Sequence, residues 1–230
     1  MLWLAGWPLF QVVWWRAGYL VLTIAGERLE LARLTRFPRN AMIAFFALLA
    51  VYSAGLLGLS FTPLADLGTR IVGAGCLLLA AWLLRFDLAR KTVRQTGLTR
   101  FIAVNLLLGY GWLIVSGILT LVAGQRATGP LYDAMLHTLF VGFVFGMIFG
   151  HAPVIFPAVL GRPLSYGAHF YGHVILLHAS LALRTVADLA GWFDLRRWGG
   201  MFNGIALLVF LVATILALRA HVGHGAMRLE

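Results

Sequence analysis

Apolar runs of about twenty residues recur along this chain between short polar and basic stretches, and a helix of that length crosses ~30 Å of hydrocarbon at ~1.5 Å per residue. Such windows fall near residues 6–25, 41–61, 67–86, 101–123, 131–156, 166–188 and 200–219. The pattern predicts an all-α, polytopic transmembrane helix bundle of about seven spans, with residues 1–230 forming a single integral membrane domain. The first window is interrupted by Arg16 and carries Trp3, Trp7, Trp14 and Trp15, a composition that also describes an interfacial helix. It is read as a span. No basic stretch precedes it and no small-residue cleavage site follows it, so it is expected to stay in place rather than leave as a signal peptide. Linkers such as "GQRATGP" and "GRPLSYG" are too short to hold a second domain, and no internal repeat interrupts the pattern.

Composition fixes the solvent. With 61% hydrophobic and 11% charged residues and a mean hydropathy of +0.90, the chain has more apolar surface than one soluble core hides, so the lipid bilayer is its first partner. A net charge of +10 could suggest nucleic acid. The basic residues, however, lie between apolar segments instead of forming a stripe with interleaved aromatics, and nucleic acid is excluded as a partner. They act as topology signals. Arg28, Arg33, Arg36, Arg39, Arg85, Arg90, Lys91, Arg94, Arg100, Arg162, Arg219 and Arg228 fall on one side of the predicted spans, against Arg126, Arg196 and Arg197 in loops on the other. The positive-inside rule then puts the N-terminus outside and the C-terminus in the cytoplasm, as for a multi-pass protein of a cytoplasmic membrane. The lone Cys76 excludes an intrachain disulfide, a CxxC redox pair and a CxxCH covalent haem site.

Against this background the histidines stand out. In "HTLFVGFVFGMIFGHAP", His137 and His151 are fourteen positions apart, which in a regular helix puts both on one face with ~21 Å between them. His169 and His173 share a face of the sixth span, and His178 points ~140° away from His173. By depth, His151 is expected to meet His169 or His173 in an inner site, while an outer site at His137 needs another ligand type or another chain. Pro153 and Pro157 are expected to end or kink the fifth span. Neutral imidazole ligates haem iron, copper or zinc, so His151, His169 and His173 are the candidate metal ligands, with His137 and His178 as further cofactor contacts. The alternative is that the imidazoles only satisfy hydrogen bonds within the core. Bundle cytochromes stack two haems across a bilayer on histidines about four turns apart, which the His137 and His151 spacing matches.

In the outer loop "DLRRWGG", Arg196 and Arg197 offer two adjacent guanidinium forks for carboxylates such as haem propionates, or for Asp194 and lipid headgroups. Arg184 and Asp188, at i and i+4, are expected to neutralise each other. Asp133 is placed as a cap of the fifth span, and Asn105 and Asn203 as makers of interhelical hydrogen bonds. Gly142, Gly146 and Gly150 form a smooth face for close helix approach or for a flat macrocycle. His221 and His224 are read as solvated tail residues. No nucleophile elbow, Walker loop, HExxH or catalytic carboxylate pair supports hydrolase or NTP chemistry, and whether the chain is an enzyme stays open.

The segments "YLVLTIAGERLELARL", "LHTLFVGFVFGMIFGHAPVIFPAVLGRP" and "HVILLHASLALRTVADLAG" followed by "LRRWGG" resemble the later part of the NnrS family, multi-span bacterial membrane proteins linked to nitric oxide stress and described as containing haem and copper. The resemblance implies a haem, of b type, or copper, and a haem- or copper-binding protein of a bacterial inner membrane acting in nitric oxide response or membrane electron transfer. Family members have about twelve spans and this chain about seven, so sites carried by the earlier helices would need a partner membrane subunit or a homo-oligomer. By analogy with haem-copper oxidases, an arginine pair such as Arg196 and Arg197 would hold propionates. Two other classes fit the same pattern: a metal or small-molecule transporter, and a cofactor-free structural subunit of a membrane complex.

Overall fold

A computed structural model of the chain describes residues 4, 6–33 and 38–226, with side chains through residue 219. Among the described residues every regular element is helical, and seven helices are long and apolar enough to cross a membrane. In chain order they are α1 (Leu9–Arg33), α2 (Arg39–Gly58), α3 (Ala65–Phe86), the short α4 (Ala89–Thr92), α5 (Gly97–Ala123), α6 (Pro130–His137), α7 (Phe145–Leu160), α8 (Phe170–Ala190) and α9 (Phe193–Ala226). A 3₁₀ turn at Thr62–Leu64 leads into α3, and a widened π-helical stretch at Thr138–Val144 joins α6 to α7 in one continuous span. Consecutive spans alternate in direction, so α1, α3, α7 and α9 end, and α2, α5 and α8 begin, at one end of the bundle. Arg33, Arg39, Arg85, Arg90, Lys91, Arg94, Arg100 and Arg162 lie there, and we call it the basic end.

Two element boundaries differ from the apolar windows. The first helix does not stop near residue 25 but continues to Arg33, which carries Arg28 into the bundle, where it is buried. The last begins at Phe193, so Arg196 and Arg197 stand on its opening turns and not in a loop. Pro153 and Pro157 do not end α7, which runs on to Leu160 before Gly161 turns the chain at a φ of 62° that favours glycine. Arg36, Arg228 and the side chains of His221 and His224 lie outside the described residues.

The helices approach through glycine. A Cβ on Gly73 would meet the backbone of α5 at Gly117 and Leu121, and one on Gly55 would meet Val72 N at 2.7 Å, so α3 lies backbone to backbone against both α2 and α5. Trp82 Nε1–H donates to Ala41 O at 2.9 Å, and Trp15 Nε1–H to Ser60 Oγ at 2.9 Å, tying α3 and α1 to the two ends of α2. Gly142, Gly146 and Gly150 are filled by α5: Trp112 covers Gly142, the backbone of Gly109 faces Gly146, and Asn105 Cβ lies 3.0 Å from where a Cβ on Gly150 would sit. That face is a helix contact and leaves no slot for a macrocycle.

Two apolar clusters result. One, with Phe45, Tyr52, Leu79, Leu83, Tyr110, Leu113 and Phe143, unites α1, α2, α3, α5 and the span from α6 to α7; the other, with Phe101, Phe149, Phe170, Leu177 and Phe210, unites α5, α7, α8 and α9. Large apolar side chains such as Ile43, Val122, Val159, Ile175 and Leu208 point outward, as lipid contact requires.

Candidate functional site

The π-helical stretch decides where the histidines point. Phe145 N–H bonds to Phe140 O, five residues back. Each widened turn absorbs an extra residue and swings the downstream helix by ~100° relative to regular winding. His137 and His151 therefore do not share a face: His137 turns toward the carboxylate and guanidinium groups of α6, α8 and α9, and His151 toward α1.

At the end opposite the basic one, Asp133 sits in the first turn of α6 and gathers charge from two other helices. Arg184 on α8 donates to its Oδ2 through Nε at 3.0 Å and Nη2 at 2.7 Å. Arg196 on α9 approaches the same oxygen at 3.3 Å and forms an ion pair with Asp188 at 2.7 Å. The expected i, i+4 pairing of Arg184 with Asp188 is thus replaced by two interhelical pairs, because α6 brings a second carboxylate into reach. Gly199 and Gly200 make room: Arg184 crosses there, and a Cβ on Gly199 would lie 2.8 Å from its backbone. One turn along from Asp133, His137 Nδ1 is 2.9 Å from Asp133 O and 3.3 Å from Asp133 Oδ1. A nitrogen that close to a carbonyl is the N–H donor, so His137 presents Nε2 as its lone-pair atom. Its side chain is 29% exposed. Arg197 points elsewhere. One residue further on it is turned ~100° around the helix, is exposed and stacks over Phe193 at 6.0 Å, so it does not act as a pair with Arg196.

At the basic end, His151 donates from Nδ1 to Met147 O at 2.7 Å and accepts at Nε2 from Arg28 Nη2–H at 3.0 Å. Beside them Asp87, in the turn between α3 and α4, accepts Ala89 N–H at 2.7 Å. Burial pushes its carboxyl above the ordinary carboxylate range, against the opposing pull of the Ala89 N–H, Arg28, Tyr110 and His151. Sequence reasoning misses Arg28 and Asp87: the first reads as a loop charge and the second belongs to no motif. A guanidinium a few residues past the end of an apolar window is the available signal.

The remaining imidazoles are separate. His173 is buried inside a ring of aromatics, with Phe149 at 5.0 Å, Phe210 at 5.3 Å, Phe170 at 5.6 Å and Phe101 at 6.3 Å, and neither ring nitrogen has a hydrogen-bond partner. His178 accepts from Trp112 Nε1–H at its Nδ1, 2.9 Å away, which places its own proton on the buried Nε2 and leaves no lone pair to offer a metal. His169 is exposed at the rim of an apolar groove of about 570 Å³ lined by Ser165 and by Leu208, Val212 and Leu216 of α9. The expected meeting of His151 with His169 or His173 is not among the contacts of the described residues. Nor, among those residues, does any group of three or more His, Cys, Asp or Glu come together as a metal site. Asn203 does link helices, accepting Ser180 Oγ–H at 2.6 Å, whereas Asn105 donates back to Phe101 O of its own helix.

Residues 1–219 match the family described as Domain of unknown function (DUF8744), and the chain belongs to that family. No curated protein and no solved structure matches it.

Proposed function

We propose that this member of the family is a membrane haem protein that holds its haem on His137, and that it serves in membrane electron transfer or in the response to nitric oxide. The arrangement of His137, Asp133, Arg184 and Arg196 supports this reading. A carboxylate and a carbonyl on one ring nitrogen fix the tautomer and raise the basicity of the other, the second shell typical of a metal-ligating histidine. Arg184 and Arg196 hold that carboxylate in place, and propionate groups are anions they could also receive. Donor count separates haem from copper or zinc. A bare ion needs three or four protein donors, which the described residues do not assemble, whereas haem brings four porphyrin nitrogens and asks the protein for one or two imidazoles. With Cys76 alone and buried, attachment would be non-covalent. Bound haem would supply one-electron exchange or a seat for a diatomic gas. A second axial ligand would come from a different side chain or from another chain. The charge bias of the loops supports placing the His137 end outside the cytoplasm, in a bacterial inner membrane.

Purified protein should show a Soret band after reconstitution with haem. His137→Gly should lose it and regain it with added imidazole, while His151→Ala and His178→Ala keep it. Full haem uptake by the His137→Gly protein without imidazole, or no uptake by the wild type, would refute the reading. A second reading, small-molecule transport, is favoured by one observation, a cavity at the basic end whose lining includes Arg28, Asp87 and His151.

A further inference from the structure

That cavity, of about 250 Å³, lies between α1, α5, α7 and the α3–α4 turn. Its walls are almost wholly apolar, with Leu31, Ile102, Leu106 and Val154 among them, and Arg28, Asp87 and His151 are the charged or titratable residues that line it. Arg28 is only 6% exposed, one arm of its guanidinium is spent on a neutral imidazole, and its Nε has no hydrogen-bond partner. Asp87 is 5% exposed; Oδ1 takes the Ala89 N–H, and Oδ2 lacks a hydrogen bond although the Tyr110 hydroxyl faces the carboxyl. Among the described residues no ion pair joins Arg28 to a carboxylate.

Arg28 feels the Asp87 carboxyl across the cavity but makes no ion pair with it, so its charge is only partly compensated, and buried charges are unfavourable unless paired. The empty volume beside it is where a counter-charge fits. Arg85, Arg90, Lys91, Arg94 and Arg100 cluster at the same end and raise the local concentration of anions. We propose that this cavity is an oxyanion site, in which Arg28 receives a carboxylate or a phosphate and His151 holds the guanidinium in place. Asp87 opposes the incoming charge and sets how tightly it is held. Val154 and Ile155, 48% and 53% exposed, form a wall that also faces lipid, so the oxyanion arrives as a free solute or as the headgroup of an acidic lipid.

The test uses the full chain in detergent, titrated calorimetrically with acetate and with inorganic phosphate. In parallel, thermal unfolding is measured in nanodiscs of phosphatidylcholine with and without phosphatidylglycerol. Saturable heat of binding with acetate or phosphate identifies a free anion as the source, and stabilisation by phosphatidylglycerol alone identifies the lipid; either supports the site. Arg28→Gln should weaken binding more than ~10-fold, as loss of a charge-assisted pair does. Ala103→Leu, which fills the cavity from a buried wall position and leaves Arg28 intact, should do the same. Asp87→Asn should tighten binding by about 10-fold, because it removes a repulsive charge at short range. Unchanged affinity in Arg28→Gln or Ala103→Leu, weaker binding in Asp87→Asn, or no response to any of the three probes overturns the proposal. If the Arg28→Gln protein does not fold, Ala103→Leu and Asp87→Asn decide the question.

Discussion

Replacing Gly73 by alanine tests how tightly α3 and α5 are joined. The new Cβ would stand 2.5 Å from Leu121 N, 2.8 Å from Gly117 O and 2.9 Å from Leu121 Cα, all backbone atoms that cannot rotate away. Ordinary contact begins at 3.4 Å, so Leu121 N must recede by about 0.9 Å to accommodate the methyl group. Overpacking of this kind costs typically ~1–3 kcal/mol, and the backbone identity of all three atoms argues for the upper part, about 2–3 kcal/mol. With roughly 2–4 °C of melting temperature per kcal/mol for a chain of this size, the expected fall is about 4–12 °C. The internal control is Gly111→Ala on α5, where a Cβ meets nothing within 4 Å. There the alanine should be neutral or stabilising by up to ~1 kcal/mol, since it removes helix-interior glycine. Both variants are measured by thermal unfolding in one detergent, followed by circular dichroism. Equal melting temperatures for Gly73→Ala and the wild type would refute the close approach of α3 and α5, and a large loss in Gly111→Ala would refute the open flank of α5.

Membrane orientation is checked with single cysteines in a Cys76→Ser background: an impermeant thiol reagent should label Arg197→Cys, exposed near the start of α9, and not Arg94→Cys at the basic end. The opposite pattern would invert the orientation. Asp87 predicts a pH effect on stability. Its carboxyl is raised by burial, so the folded chain holds that proton more tightly than the unfolded one. The contribution is full below the ordinary carboxylate value of about 4 and is lost as pH climbs through the raised value. Unfolding midpoints measured from about pH 4 upward should therefore fall over that window, and Asp87→Asn should flatten the fall.

The spans were readable because a bilayer imposes a length: twenty apolar residues, with charge between them, leave little freedom. Helix ends were less readable where a charge finds a partner inside the protein. Arg28 lies within α1 because His151 receives it, and Arg196 lies within α9 because Asp188 and Asp133 do. No local pattern in the sequence announces those partners. The pairing of Arg184 shows the same limit: an i, i+4 carboxylate was the reasonable local choice, and the fold supplied a nearer one from α6. The histidine geometry failed for a different reason. Counting 3.6 residues per turn through Thr138–Val144 assumes regular hydrogen bonding, and that stretch does not have it.

The widened stretch also makes one transmembrane span behave as two segments with separate addresses. Because it uncouples the angular setting of α6 from that of α7, the half that carries His137 can be tuned to α8 and α9 while the half that carries His151 stays matched to α1 and α5. A single-residue deletion between Thr138 and Val144 would remove the absorbed residue and restore regular winding with His151 still turned toward Arg28, whereas one residue inserted in the regular winding of α7 before His151 would turn it by ~100° and withdraw it from Arg28 while the Asp133 network stays in place. In that sense the span contains a phase joint. Sites at its two ends can diverge between related chains without either forcing a change in the other.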